Sequence, residues 1–125
     1  MYSDEVLKRF KEPKFAGELK DADAVGERGN VKCGDIMRIY INVKENKITD
    51  IKFKTYGCVA AIVSSDFLCQ LARGKTLEQA QKITAKDVLD EMGSEIPPIK
   101  LHCSILAQTA LKAAIEQYKN GAKND

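Results

Sequence analysis

The sequence predicts an α+β fold, a small antiparallel sheet with helices packed on one face of it, the apolar one. Three observations carry that expectation. From Met37 to Thr55 apolar and polar residues alternate, interrupted by one turn. After Gly57 the spacing of apolar residues changes to that of helices. Gly74, Thr76, Thr84, Pro97, Pro98 and Gly121 fall where helices start and stop.

Taken in order, "SDEVLKRFKE" opens with Ser3 as a helix N-cap, followed by acids in the first turn and Val6, Leu7 and Phe10 at helical spacing. Pro13 ends this N-terminal helix, which occupies residues 1–13. Residues 14–31 are rich in Gly, Asp, Glu and Lys and lack periodicity, so a loop is expected, with room for a short edge strand. In "DIMRIYINVKENKITDIKFKTYG", Met37, Ile39, Ile41 and Val43 alternate with Arg38, Tyr40, Asn42 and Lys44, and Ile51 and Phe53 alternate with Lys52 and Lys54. This is a hairpin with one wet face and "ENK" as its turn.

"CVAAIVSSDFLCQLARG" reads as a helix ended by Gly74, with Ala60, Ser64, Phe67, Leu68 and Leu71 on one face. Thr76 and Thr84 are expected to cap "LEQAQKI" and "AKDVLDEM", with Gln79 completing a capping box at the first. "GSEIPP" is a stiff loop, and "SILAQTALKAAIEQYK" is the strongest helix, closed by Asn120-Gly121. Residues 121–125 form a frayed tail, and residues 1–125 are expected to be one domain.

Composition excludes several function classes. A net charge of +2, with lysines and acids interspersed, argues against a nucleic-acid or anionic-membrane partner. No apolar run approaches the ~18 residues of a membrane span. The start "MYSDEVLKRF" has no charged-then-apolar leader pattern, so the expected location is the cytoplasm. There, four cysteines point to metal binding or catalysis rather than to disulfides.

Three of these cysteines fall at element ends. Cys33 precedes the first strong strand, Cys58 joins the last strand to its helix, and Cys103 sits where the stiff loop enters the last helix. Structural cysteines favour element interiors. At a helix N-terminus, as expected for Cys58 and Cys103, unpaired N–H groups and the helix dipole favour the thiolate. Asp35 follows Cys33 by two residues, which in an extended chain puts both on one side. His102, the only histidine, adjoins Cys103.

Cys69 lies eleven residues beyond Cys58 on the same helix, about 16 Å along its axis. It cannot share a centre with Cys58, and it reads as a structural thiol. Cys33, Asp35, Cys58, His102 and Cys103 thus form a candidate metal site of three thiols with Asp or His as fourth ligand. The spacing is not that of a C-x-x-C zinc ribbon, and a durable iron–sulfur carrier would use four cysteines. A weak fourth ligand suits a labile thiolate metal site. No particular reaction follows from these residues alone.

"CGD" (33–35), "FKTYGC" (53–58), "SS" (64–65), "GKTLEQA" (74–80), "IPPIK" (96–100) and "HCSILA" (102–107) resemble the IscU/NifU-type iron–sulfur cluster assembly scaffolds of the SufE/NifU superfamily. The resemblance runs from about residue 8 to residue 118, in the family's order. It implies a non-enzymatic scaffold on which sulfur from a cysteine desulfurase and iron are assembled into a labile 2Fe–2S cluster, then passed to apo-proteins. Cys33, Cys58 and Cys103 would be ligands and sulfur acceptors, Cys103 foremost. Asp35 would keep the cluster labile, and His102 would be an additional or alternative ligand.

Ile96, Pro97, Pro98, Ile99 and Lys100 match the segment that a dedicated Hsp70-type chaperone reads, with its co-chaperone. Ferredoxin, apo-acceptor proteins and a second copy of the chain are further implied partners. The sequence departs from the family at Val59, where glycine is usual, and around "EPKFAG" near the desulfurase-docking region. The zinc-bound SufU-like branch, a sulfurtransferase rather than a scaffold, is the alternative, and zinc also fits the apo-site. That branch carries an insertion before its last cysteine and lysine beside it. His102 and the lack of an evident insertion favour the scaffold branch.

Overall fold

Three strands form one antiparallel sheet in the order β1 (Ala24–Asn30), β2 (Asp35–Lys44), β3 (Lys47–Tyr56). Among the described residues, five helices accompany them: α1 (Asp4–Lys11), α2 (Val59–Ala72), α3 (Leu77–Gln81), α4 (Ala85–Met92) and α5 (Leu101–Gly121). The structure, a computed structural model, describes residues 4–30, 35–57, 59–92 and 101–121. Ser3, the "GSEIPP" loop and the tail beyond 121 therefore lie outside the described residues. The α+β class is as predicted: α5 lies across β1 and β2, and α2 across β3.

The hairpin follows its alternation. Met37, Ile39 and Ile41 of β2 and Ile51 and Phe53 of β3 are buried against the helices. Ile48 is buried too, although it stands an odd number of residues from Ile51. The pairing jumps from Asn42↔Asp50 to Val43↔Ile48, leaving Thr49 as an extra residue on β3. This bulge restores the phase and turns Ile48 inward. Tyr40, on the face expected to be wet, is also buried, and by register it stands between Val25 and Lys52.

The turn is one residue shorter than "ENK" suggests. Glu45 and Asn46 alone connect the strands, with φ of 54° and 64°, and Lys47 already pairs with Lys44. Two successive left-handed residues match the twist of the flanking strands. The start of α3 holds the turn, since Leu77 N–H donates to the Asn46 carbonyl at 3.0 Å and Asn46 Nδ2 donates to Glu78 at 2.7 Å.

The segment 14–31, expected as a loop with room for a short edge strand, does hold an edge strand, longer than expected. Its last third is a seven-residue strand, β1, paired with β2 along its whole length. Farther upstream, Ala16 makes a parallel bridge to Phe53 on the outer edge of β3.

Helix α2 also departs from the expected single apolar face. Ala61, Val63, Ser64, Ser65, Asp66, Phe67, Leu68, Cys69 and Ala72 are all buried, because α1, α4, α5 and β3 surround it. Gly74 ends it at φ 85°. Thr76 and Gln79 form the predicted capping box on α3. A second box, unforeseen, joins Thr84 and Asp87 on α4: Asp87 N–H donates to Thr84 Oγ1 at 3.1 Å, and Thr84 N–H to Asp87 Oδ2 at 2.9 Å. Helix α5 starts at Leu101, three residues before the expected "SILA", so His102 and Cys103 belong to its first turn.

Candidate functional site

Element direction decides what can meet. Asn30 pairs with Asp35, and Ile36 with Tyr56, so the end of β1, the start of β2 and the end of β3 share one end of the sheet. Helix α2 begins at Val59 beside that end and runs away from it, reaching the hairpin-turn end where Gly74 N–H donates to the Ile48 carbonyl at 2.8 Å.

Helix α5 runs in the same sense as α2. Its C-terminal part meets α3, with Lys119 Nζ 3.4 Å from Gln81 Oε1, and α3 rests on the hairpin turn. Gln117 accepts from Val25 N–H at 2.7 Å, near the start of β1. A 21-residue helix is about 32 Å long, close to the length of a ten-residue strand. The first turn of α5 therefore lies at the sheet end where β2 begins and β3 finishes.

Among the predicted site residues, Asp35 is the first residue of β2, and His102 and Cys103 are the second and third of α5. The backbone brings these three positions to one end of the sheet. Cys33, Cys58 and the Ile96–Lys100 segment, including Pro97, Pro98 and Ile99, lie outside the described residues. Among the described residues, no three His, Cys, Asp or Glu side chains gather as a metal site.

Side chains near this end brace it. Thr55 Oγ1 lies 2.8 Å from Ser65 Oγ, and Ser65 donates its proton to the Ala61 carbonyl at 2.9 Å. Ser65 has one proton, so Thr55 must be the donor between them. The pair ties the end of β3 to the first turns of α2, on either side of the strand–helix junction. Tyr56 and Ile105 expose large apolar side chains nearby, at 61% and 46%.

Cys69 stands apart from these positions. It is fully buried, and burial first, then the neighbouring Asp66 carboxylate, pushes its thiol well above the ordinary range. It stays protonated at neutral pH, as a structural thiol should. A buried cluster that the sequence does not reveal lies alongside it, where Arg9 of α1 reaches Asp66 at 2.7 Å.

The fold defines a class: a small α+β domain built on an antiparallel sheet, with the starts of α2 and α5 at one end of that sheet. The chain belongs to the NifU-like N terminal domain family, which matches residues 1–125. It is 51% identical over 123 residues to an iron–sulfur cluster assembly scaffold protein IscU of Archaeoglobus fulgidus, covering 97% of this chain and 80% of that one. It is 42% identical to the scaffold protein IscU of Azotobacter vinelandii, covering 95% and 94%. A solved structure from Fervidobacterium islandicum, described as a candidate cluster assembly scaffold for the SUF system, superposes with a TM-score of 0.77 at 25% identity, covering 91% and 96%.

Proposed function

We propose that this chain, as a single domain over residues 1–125, is a scaffold on which a labile 2Fe–2S cluster is built and from which it is handed to apo-proteins. The observation that carries this reading is the full-length family match to curated cluster assembly scaffolds. The bunching of β2, β3, α2 and α5 ends supports it, because it is the place where side chains from separate loops can converge.

The chemistry follows from the residue types. A thiolate of Cys33, Cys58 or Cys103, Cys103 foremost, attacks the outer sulfur of a desulfurase persulfide. The donor's S–S bond breaks, the desulfurase thiolate leaves, and the transferred sulfur remains at oxidation level zero. Reduction to sulfide takes two electrons per sulfur, for which a ferredoxin-class protein is the donor. The first turn of α5 supplies unpaired N–H groups that favour a thiolate at Cys103. Iron and sulfide are cargo here, held by three thiolates and a weaker fourth ligand, Asp35 or His102.

Ile96, Pro97, Pro98, Ile99 and Lys100 are the proposed handle for an Hsp70-type chaperone and its co-chaperone. The protein is proposed to act in the cytoplasm without catalysing a reaction of its own, with a homodimer as one way to bridge a cluster. No helix among the described residues is long and apolar enough to cross a membrane.

The runner-up reading is a zinc-dependent, SufU-like sulfurtransferase, although the SUF-system structural neighbour is itself described as a candidate cluster assembly scaffold. Anaerobic incubation with Fe(II), cysteine and a desulfurase, followed by visible spectroscopy and metal analysis, separates the two. The scaffold reading expects cluster absorbance that zinc suppresses. Desulfurase turnover that collapses on zinc removal and returns only with zinc, with no cluster formed, would overturn it.

A further inference from the structure

We propose that residues 4–17 form a detachable strap, docked on the body through the Arg9–Asp66 ion pair, and that its release uncovers the middle of the outer edge of β3. Asp66 is completely buried in the middle of α2, and both of its oxygens are engaged by this strap. Oδ2 receives Arg9 Nη1 at 2.7 Å, and Oδ1 receives the backbone N–H of Phe15 at 2.8 Å. Arg9 also donates to Gln70, and its guanidinium stacks on the Phe67 ring at 4.1 Å from the centroid. One carboxylate thus fastens both the helix and the segment after it.

Among the described side chains of α1 the buried anchor is a charged one: Arg9 alone is buried, while Leu7 and Phe10 remain 40% and 38% exposed. A helix of eight residues cannot hold its own conformation in water, so its order depends on this attachment. A charged anchor in a desolvated place holds firmly when paired and very poorly when either partner is missing. Docking should therefore be close to two-state, with Arg9 either seated or out.

Downstream, the strap ends on the sheet. Phe53 N–H donates to the Phe15 carbonyl at 2.9 Å, and Gly17 N–H donates to the Phe53 carbonyl at 2.8 Å. These bonds cover the middle of the outer edge of β3, whose first residues are covered by Gly74 and Lys75 at Ile48. Removing the strap leaves both backbone groups of Phe53 unpaired, three residues before Tyr56 and the turn into α2.

Phe53 makes the idea testable without any mutation. Its amide faces the strap rather than β2, so it exchanges with solvent when the strap leaves, even while the sheet stays intact. In the whole chain, residue-resolved hydrogen exchange should show the Phe53, Gly17 and α1 amides exchanging together, at least about tenfold faster than those of Ile39, Ile41, Ala110 and Ala114. Arg9→Gln should speed the first group by about another tenfold and leave the second unchanged. Glu18→Gln, which breaks only the exposed pair with Lys54, should change neither. If Phe53 exchanges with the β2 amides in the unmutated protein, or Arg9→Gln raises every amide alike or prevents folding, the segment is an integral part of the core. If Arg9→Gln leaves Phe53 unchanged, the ion pair is not the anchor. Either result overturns the proposal.

Discussion

Gly26 of β1 lies directly beneath Ala110 of α5. A Cβ built on Gly26 would stand 2.3 Å from the Ala110 carbonyl oxygen and 2.3 Å from the Ala114 amide nitrogen. Both are backbone atoms of a helix that is otherwise well packed, so neither can rotate out of the way. The relationship fixes how closely the longest helix rides on the sheet, and hence where its first turn comes to rest.

Gly26→Ala should therefore destabilise the protein by at least about 3 kcal/mol, the upper end for overpacking, because relief requires moving α5 bodily. Urea unfolding followed by circular dichroism measures it. A loss below about 1 kcal/mol would mean that the helix–sheet spacing is soft. Under the scaffold reading, any folded variant should also assemble cluster poorly, since His102 and Cys103 ride on the displaced helix.

Cys69 offers a prediction with a defined sign in pH. Its folded-state thiol titrates well above the ordinary value of 9.0, mainly through burial. A group whose pKa is raised on folding contributes stability in full below its unfolded pKa and loses it as pH rises toward the folded one. Stability should thus fall above about pH 9, by up to about 1.4 kcal/mol per pH unit from this group. Cys69→Ala should cost about 1 kcal/mol at pH 7 and flatten the alkaline decline. Cluster assembly on the variant should remain nearly intact, whereas serine at Cys33, Cys58 or Cys103 should abolish it. Loss of the visible cluster absorbance in Cys69→Ala alone would place Cys69 in the centre.

The hairpin was legible because its period of two matches a sheet with one covered face, as Met37, Ile39 and Ile41 show. β1 was legible only as room for a short edge strand, because what it turns toward α5 is Ala24 and Gly26, residues too small to mark a buried face. Its strand character comes from β2 and from the helix laid on it. Arg9 and Asp66 were illegible for a related reason: each reads as a surface charge until tertiary structure brings together two positions 57 apart in the sequence. The positions of Asp35, His102 and Cys103 at element ends could be read from punctuation. That their elements end on the same side of the sheet needed the directions of α5 and β2.

Asp35 should control how long a cluster stays bound. A carboxylate holds iron–sulfur cargo less firmly than a thiolate, and the backbone of Asp35, the first residue of β2, pairs with that of Asn30. Asp35→Ala should lengthen the lifetime of the assembled cluster several-fold and slow its transfer to an apo-ferredoxin. Decay of visible absorbance under air, beside transfer followed by circular dichroism, measures both. A variant that sheds its cluster faster than the parent contradicts the role.

The last prediction concerns Ile96 to Lys100. Pro97 and Pro98 each fix φ near −65°, and each drives the residue before it out of the helical region, so this stretch favours an extended chain. An extended segment enters a peptide-binding groove with less entropy to lose. Under the recognition role, Ile96 and Ile99 would supply apolar anchors, and Lys100 would supply a charge that sets orientation. The competing role is a stiff connector that aims the first turn of α5, which begins at the very next residue, Leu101. Pro98→Ala combined with Lys100→Ala distinguishes them. Under the recognition role, affinity for a cognate Hsp70-type chaperone should drop at least about tenfold, which is about 1.4 kcal/mol. Chaperone-stimulated transfer should slow in proportion, while unassisted assembly on the cysteines changes little. Calorimetric binding and the assembly rate are to be measured on the same double variant. Assembly that fails while chaperone binding persists would make the segment a connector.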